Sequence, residues 1–192
     1  MPSSDPEDRV QPATPAEWRA WLDEHHQARS GVWLVSWKKH TGRPTVGYDD
    51  AVTEALAVGW VDSKGLRLDE DRTMLWFAPR RPTSGWSRPN KVRVERLLAE
   101  GRMGPAGQES IDAAVQNGTW SMLDDVENLV VPDDLARELD RHPGAVAAWE
   151  TFPPSARKGI LAWIGQAKRP ATRAARIAET AEKAGRGERA HL

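Results

Sequence analysis

Two neighbouring strand-like segments joined by a short turn constrain the fold of this chain most strongly. Residues 60–68 alternate in part between apolar and polar side chains, and residues 73–78 are mostly apolar. The segment between them, Asp69-Glu70-Asp71-Arg72, has the composition of a turn and is short enough to reverse the chain. The two strands must therefore pair antiparallel. Residues 32–37, rich in β-branched and aromatic side chains, predict a third strand beside them.

Helical patterns flank this predicted sheet and fill the C-terminal part of the chain. Thr14-Pro15-Ala16-Glu17 is a capping box with proline at the first helical position, and it predicts a helix that begins there. From Pro132 onward only helical patterns occur, and prolines divide them. We therefore predict an α+β fold: a small antiparallel β-sheet packed with helices, followed by a C-terminal all-helical subdomain.

The predicted organisation has four parts. Residues 1–13 contain three prolines and no periodicity, which favours a disordered N-terminal tail. An α+β domain with a loop rich in Trp, Arg and Ser follows at 14–120, a helical subdomain packed on it at 121–188, and a polar tail at 189–192.

The composition excludes several classes of function. Lys plus Arg number 27 against 28 for Asp plus Glu, so no overall charge favours nucleic acid or a membrane surface. Cysteine is absent, which excludes disulfides, thiolate metal sites and a cysteine nucleophile. The first residues are polar and acidic, unlike a secretory signal, and no apolar run is long enough to span a membrane. We expect a soluble cytoplasmic protein.

Known catalytic and cofactor motifs are missing. The sequence has no Gly-rich nucleotide-binding loop, no H-E-x-x-H and no G-x-S-x-G. His25 and His26 are adjacent on a predicted helix, so they point about 100° apart and do not form the i, i+4 metal pair. We therefore predict no metal site, no cofactor and no catalytic residue, and we lean against an enzyme.

The loop that leaves the last strand is the strongest candidate for a binding site. It crosses a polar segment and enters a helix through Ser87 and Pro89. A helix start presents unpaired N–H groups and the positive end of the dipole, and an arginine fork pairs with both oxygens of a carboxylate or phosphate. The predicted ligand-binding residues here are Arg80, Arg81, Ser84, Trp86, Ser87 and Asn90. The alternative is structural: Ser87 is then a plain helix cap and the arginines are solvated.

A neighbouring strand supplies the second predicted wall. Trp60, Asp62 and Lys64 are two residues apart each, so a regular strand places all three side chains on one face. Asp62 is then either a salt-bridged structural carboxylate or a polar contact in the pocket.

A basic stretch at 151–178 offers a different partner. It holds six cations and no Asp or Glu, and phosphates of a polymer would suit it. The cations are Arg157, Lys158, Lys168, Arg169, Arg173 and Arg176. The alternative is that they pair with the acids at 132–140, 150 and 179–182.

Several motifs together resemble one family. They are Tyr48-Asp49-Asp50-Ala51-Val52, Gly59-Trp60-Val61-Asp62, Leu68-Asp69-Glu70, Phe77-Ala78-Pro79-Arg80, Ser84-Gly85-Trp86-Ser87, Gly101-Arg102-Met103 with Gly107, and Ala167-Lys168-Arg169 with Thr172-Arg173. From about residue 15 to 188 the chain resembles the YdeI/OmpD-associated family, also called bacteriocin-protection proteins. The resemblance implies a role in tolerance to antimicrobial peptides and assigns no catalytic residue.

These observations lead to one main functional hypothesis and two alternatives. The main one is a non-enzymatic cytoplasmic protein that binds a small anionic or amphipathic ligand and acts in stress or antimicrobial tolerance. The first alternative is binding of nucleic acid or another phosphate polymer by the basic stretch. The second is an enzyme that uses Asp62 and Lys64 as an acid–base pair. The oligomeric state stays open.

Overall fold

The computed structural model of this protein describes residues 8–191, which form two compact units that divide between Ser121 and Met122. In the first unit a sheet has the spatial order β1-β2-β4-β3, with strands β1 (Arg9–Val10), β2 (Val32–Trp37), β3 (Trp60–Arg67) and β4 (Arg72–Pro79). Its helices are α1 (Pro15–His25), α2 (Tyr48–Ala57), α3 (Arg88–Ala99) and α4 (Pro105–Gln116), with a 3₁₀ turn at Lys39–Thr41. The second unit contains α5 (Asp124–Glu127), α6 (Asp133–Arg141), α7 (Ala145–Thr151), α8 (Pro154–Gly165) and α9 (Pro170–Gly185).

The predicted α+β fold with a helical C-terminal region is confirmed, but the sheet is mixed rather than purely antiparallel. β4 pairs antiparallel with β2 and with β3, as the hairpin pattern predicts. β1 instead pairs parallel with β2, with Arg9 opposite Trp33 and Val10 opposite Leu34. This strand lies in the predicted disordered tail at 1–13, of which residues 1–7 are outside the described residues. So short a strand is stabilised by its partner, and no local periodicity indicates it.

The start of α1 confirms the predicted capping box. The backbone N–H of Glu17 donates to Thr14 Oγ1 at 3.2 Å, and the Glu17 carboxylate accepts from the N–H of Ala13 at 2.8 Å. Two N–H groups that lack helical partners are thereby satisfied, which fixes where the helix begins. The apolar face of α1 then buries Trp18 and Leu22 completely.

The core of the first unit lies on one face of the sheet. Leu34 and Phe77 point toward the helices and pack with residues such as Val52 and Leu97, all at most 1% exposed. Because side chains alternate along a strand, Trp33 and Val35 point to the opposite face. There they form a smaller cluster with Met74.

A glycine sets how closely α4 approaches the end of α2. A Cβ added at Gly107 would lie 2.5 Å from the carbonyl oxygen of Ala57, closer than any real contact. Nearby, the carboxylate of Glu54 is almost fully buried and is neutralised by Arg102 and, at 3.4 Å, by Arg19. The Gly101-Arg102-Met103 and Gly107 motif therefore has a structural role, because it ties α4 and its preceding turn to α2.

The second unit is built around α9. This helix packs against α6, α7 and α8 over a core that includes Leu135, Ile160 and Ala181. Beyond α9, Ala190 is buried and the ring of His191 stacks on Trp163 with centroids 5.0 Å apart. The predicted tail at 189–192 thus contacts the core at two positions, while Leu192 lies outside the described residues. Within residues 8–191, no helix is long and apolar enough to cross a membrane.

Candidate functional site

A pocket of about 500 Å³ lies where the start of α2, the strand β3 and the loop between β4 and α3 meet. We call it the Arg80 pocket. Its polar lining residues are Tyr48, Asp62, Arg80, Ser84, Ser87, Asn90 and Arg93. Five of the nine predicted ligand-binding residues are among them, so the structure brings together most of the polar groups of the loop.

Within residues 8–191, no acid neutralises the charge of Arg80. Its Nη2 donates to the carbonyl oxygen of Ser84 at 3.2 Å and to that of Gly85, and its guanidinium stacks over the Trp86 ring at 4.0 Å. Its Nε is buried and has no hydrogen-bond partner among the described residues. Burial lowers the pKa of Arg80 to about 10, and no carboxylate of the described chain contributes to that pKa. A positive charge in this setting favours an anion beside it.

Ser87 stands at the start of α3 without capping it. Ser87 has extended backbone angles typical of an N-cap, yet its side chain makes no hydrogen bond to the helix N–H groups. The structural alternative, in which Ser87 is a plain cap, is therefore not what the geometry shows. Asn90, one turn into the helix, accepts a hydrogen bond from Arg93 Nη1 at 3.0 Å. The helix start adds the positive end of its dipole to the pocket.

Tyr48 and Asp62 form the opposite wall. The phenol of Tyr48 donates to Asp62 Oδ2 at 3.1 Å. Burial, and then the neighbouring Asp62 charge, raise the pKa of Tyr48 above its ordinary value. Arg93 pairs with Asp49 at 2.8 Å and lies 5.9 Å from the Tyr48 ring. Hydrogen bonding from Arg93 lowers the pKa of Asp49, which therefore stays ionised outside the pocket lining.

Within the described residues, one cation of the pocket lining has no acid beside it. Arg93 is paired with Asp49, whereas Arg80 is not paired with an acid, and Asp62 is the carboxylate of the lining. The serine hydroxyls and the Asn90 amide add neutral hydrogen-bonding groups. The arrangement suits a small ligand with one negative charge.

Four of the predicted ligand-binding residues lie outside this lining. Trp60 is fully buried in the core, where its indole N–H donates to the carbonyl oxygen of His26 at 3.2 Å. Trp86 is also fully buried and serves as the surface on which Arg80 stacks. Arg81 is exposed and is not among the lining residues. Lys64 lies 5.4 Å over the ring of Trp33.

A bulge in β3 explains the position of Lys64. The pairing shifts between Asp62, opposite Phe77, and Gly65, opposite Leu75. The extra residue breaks the alternation, so Lys64 reaches Trp33 on the far face of the sheet. The prediction that Trp60, Asp62 and Lys64 share one face is therefore wrong at Lys64. Asp62 and Lys64 consequently do not form the acid–base pair of the enzyme hypothesis.

The basic stretch at 151–178 is partly neutralised. Arg173 pairs with Asp134 at 2.7 Å, and hydrogen bonding from Arg173 lowers the pKa of that carboxyl. Lys158 pairs with Glu127 at 2.6 Å. Arg176 lies 4.9 Å over the ring of Trp163 and donates to its carbonyl oxygen.

The other cations of this stretch do not form one surface. Lys168 and Arg169 are exposed at the start of α9, whereas Arg157 is half-buried and its Nε is shielded from solvent. The expected pairing with acids at 132–140 thus holds for Arg173. No group of three or more potential metal-binding side chains lies close together in the described part of the chain.

Sequence reasoning missed Tyr48 and Arg93. Tyr48 begins α2 and Arg93 lies in the first turns of α3, so only the packing of the two helices brings them to Asp62. The Tyr48-Asp49-Asp50 motif could have indicated this packing. Asp49 binds Arg93 and Arg96 and so anchors α3 to the start of α2.

Comparison with known families covers most of the chain. Residues 10–110, just over half of the 192 residues, match the model of a domain of unknown function, DUF8412. Residues 128–187 match the OmdA family, described as bacteriocin-protection, YdeI or OmpD-associated, which confirms the resemblance. The Arg80 pocket lies within the first match. No curated protein and no solved structure matches the chain significantly.

Proposed function

We propose a function for this chain, which belongs to the DUF8412 family and carries a bacteriocin-protection, YdeI or OmpD-associated domain. It is a non-enzymatic protein that binds a small anionic or amphipathic ligand in the Arg80 pocket. The ligand's negative group lies beside Arg80, within reach of Ser84, Ser87 and the start of α3. The proposed role of this binding is stress or antimicrobial tolerance. The absence of cysteine suits the reducing cytoplasm as the proposed compartment.

The observation that carries the proposal is the uncompensated charge of Arg80. Most half-buried arginines of this protein have an acid beside them: Arg93 pairs with Asp49, and Arg173 pairs with Asp134. Arg80 has carbonyl oxygens and an aromatic face only. A buried cation without a counterion lowers stability unless something offsets it. A bound anion supplies that compensation.

Charge balance also argues for an anion of low charge. Arg93 is already paired with Asp49, so within residues 8–191 Arg80 is the lining cation that has no acid beside it. Asp62 already accepts from the Tyr48 phenol, which directs part of its charge away from a ligand at Arg80. A carboxylate, or a phosphate with one ester bond or two, can accept from Arg80 and a serine hydroxyl together.

The test is anion binding that depends on Arg80. Binding of acetate, butyrate, phosphate and sulfate is measured by equilibrium dialysis and thermal stabilisation at constant ionic strength. We expect at least one anion to raise the melting temperature of the wild type and to bind the Arg80→Met variant at least tenfold more weakly. Arg96→Met is the matched control, because Arg96 is exposed, binds Asp49 and lies outside the lining. Equal binding by all three proteins would overturn the proposal.

The biological role has a separate test. A bacterial strain that lacks its own copy is complemented with the wild type or with Arg80→Met and exposed to a bacteriocin. Survival that rises with the wild type and not with the variant supports a role of the pocket in tolerance. Equal survival with both would separate the Arg80 pocket from that role.

A further inference from the structure

A second cavity of about 490 Å³ adjoins the Arg80 pocket and has an apolar lining. We call it the Leu34 groove, after Leu34, Val46, Ala51, Gly65 and Leu75, which line it together with Tyr48. Its walls come from β2, the segment before α2, the first turn of α2, and the strands β3 and β4. Its other polar lining residues are Ser36, Thr45, Thr73 and Arg67.

The two cavities lie along the same strand, β3, and share Tyr48 as a lining residue. Asp62 lies opposite Phe77 and Gly65 lies opposite Leu75, and these two partners are two residues apart on β4. Directly opposed residues share a face of the sheet, so Asp62 and Gly65 do as well. Because the bulge adds one residue to β3, the two positions are separated by the length of two β4 residues, about 7 Å. Tyr48 lines both cavities and holds its phenol on Asp62, which places it at the boundary between them.

The bulge gives the groove its space. A regular β3 would place Lys64 on the face occupied by Asp62, but the bulge places Gly65 there instead. A Cβ at Gly65 would lie 3.9 Å from Leu75 Cδ1, which is an ordinary van der Waals contact, so the position has room for a methyl group without a clash. The same irregularity that removes Lys64 from the pocket therefore opens an apolar path beside it.

We infer that the ligand is an alkyl carboxylate, with its head group at Arg80 and its hydrocarbon chain passing Tyr48 into the Leu34 groove. The inference rests on the proposed function, because it uses the same anion site. Arg80, the lining cation that has no acid beside it in residues 8–191, matches one carboxylate better than a doubly charged phosphate. The length of the hydrocarbon chain is set by the distance of about 7 Å between Asp62 and Gly65 along the sheet.

The experiment is a chain-length series. Dissociation constants of acetate, butyrate, hexanoate and octanoate are measured by calorimetry below their micelle concentrations. Each methylene group that leaves water strengthens binding by about fourfold, so every step of this series gains about sixteenfold until the groove is full. Octyl phosphate and octylammonium serve as head-group controls, and both bind more weakly than the carboxylate of similar length.

Variants of Gly65 test whether the ligand's hydrocarbon chain binds in the Leu34 groove. Gly65→Leu fills the groove, so affinity should no longer rise with the length of the hydrocarbon chain, while the affinity for acetate stays within twofold. Gly65→Ala is the matched control. Its methyl group makes only ordinary contacts, so the affinity should still depend on the length of the ligand's hydrocarbon chain.

Fluorine NMR provides a second readout. Tyr48 is the only tyrosine of the protein, so 3-fluorotyrosine labelling gives one ¹⁹F resonance. Bound octanoate produces a ¹H–¹⁹F Overhauser effect from its methylene protons to that resonance.

The outcomes separate the two proposals. Arg80-dependent binding whose affinity does not rise along the chain-length series would overturn the inference of an alkyl carboxylate ligand, but it would support the anion site. A gain that persists in Gly65→Leu, or an absent Overhauser effect, would place the chain outside the groove and overturn the inference. Binding of no anion in an Arg80-dependent way would overturn the proposed function itself.

Discussion

Replacing Arg80 with methionine tests whether its charge serves binding rather than folding. Burial lowers the pKa of Arg80 to about 10, which corresponds to a free-energy cost of about 3.4 kcal/mol at about 1.36 kcal/mol per pKa unit. The unfolded chain holds this proton more tightly, so the charge disfavours folding at neutral pH, and the penalty is relieved as the pH rises through 10. Because the guanidinium is only half-buried, solvent screening reduces the penalty to about 1–2 kcal/mol.

The interactions lost on substitution offset this gain. Methionine keeps an apolar stem over Trp86 but loses the cation–π contact, worth about 0.5–1 kcal/mol at a partly exposed site. It also loses the hydrogen bonds to the carbonyl oxygens of Ser84 and Gly85, worth about 1 kcal/mol each. The lost interactions, about 2.5–3 kcal/mol, exceed the relieved penalty of about 1–2 kcal/mol. We expect Arg80→Met to be less stable than the wild type by about 0.5–2 kcal/mol while it loses anion binding.

The assay is urea unfolding at pH 7 without added anion. Tryptophan fluorescence reports mainly the first unit, because eight of the ten tryptophans lie before the division at Ser121. Arg96→Met, which removes an exposed ion pair, is measured in parallel and is expected to change stability by about 1 kcal/mol or less. A loss of more than about 3 kcal/mol in Arg80→Met alone would refute the reasoning, because Arg80 would then be a structural clamp of the loop.

Three further predictions follow from single contacts. Gly107→Ala lowers the free energy of unfolding by about 1–3 kcal/mol, because the added Cβ meets a backbone carbonyl. Gly159→Ala, in open space on α8, raises it by about 0.5–1 kcal/mol, and the urea midpoints of both variants measure the two changes. Asp62→Asn removes a charge that raises the pKa of Tyr48, so phenolate absorbance in a pH titration appears at lower pH than in the wild type, and an unchanged titration would contradict the Tyr48–Asp62 contact. Lys64→Met leaves anion affinity within twofold because Lys64 lies on the far face of the sheet, and a larger loss would return it to the pocket.

The features that depend on neighbours in sequence were predictable. The capping box at Thr14, the β3–β4 hairpin and the helical C-terminal region each follow from a pattern that spans a few residues. The Arg80–Asn90 loop belongs to this group, since a strand, a polar segment and a helix start are all visible locally. Local hydrogen bonding and side-chain periodicity decide such elements, so the sequence alone indicates them.

The features that depend on pairing between distant segments could not be predicted from the sequence. The parallel β1 strand exists because β2 offers it an edge, and the bulge in β3 exists because its register with β4 shifts between Asp62 and Gly65. One inserted residue reverses the face of the sheet to which the following side chains point, and the spacing of residues in the sequence does not reveal such an insertion. This single shift moved Lys64 out of the predicted pocket.

The sequence by itself determined the class of fold and the loop that supplies Arg80, Ser84 and Ser87, because these rest on local chemistry. The tertiary structure alone decided what the loop faces. The packing of α2, α3 and β3 brought Tyr48 and Arg93 into one pocket with Asp62 and formed the apolar groove at Gly65. It also left Arg80 without an acid beside it among residues 8–191. Charge compensation and cavity shape arise from contacts between segments far apart in the chain, and these form only when the whole unit folds.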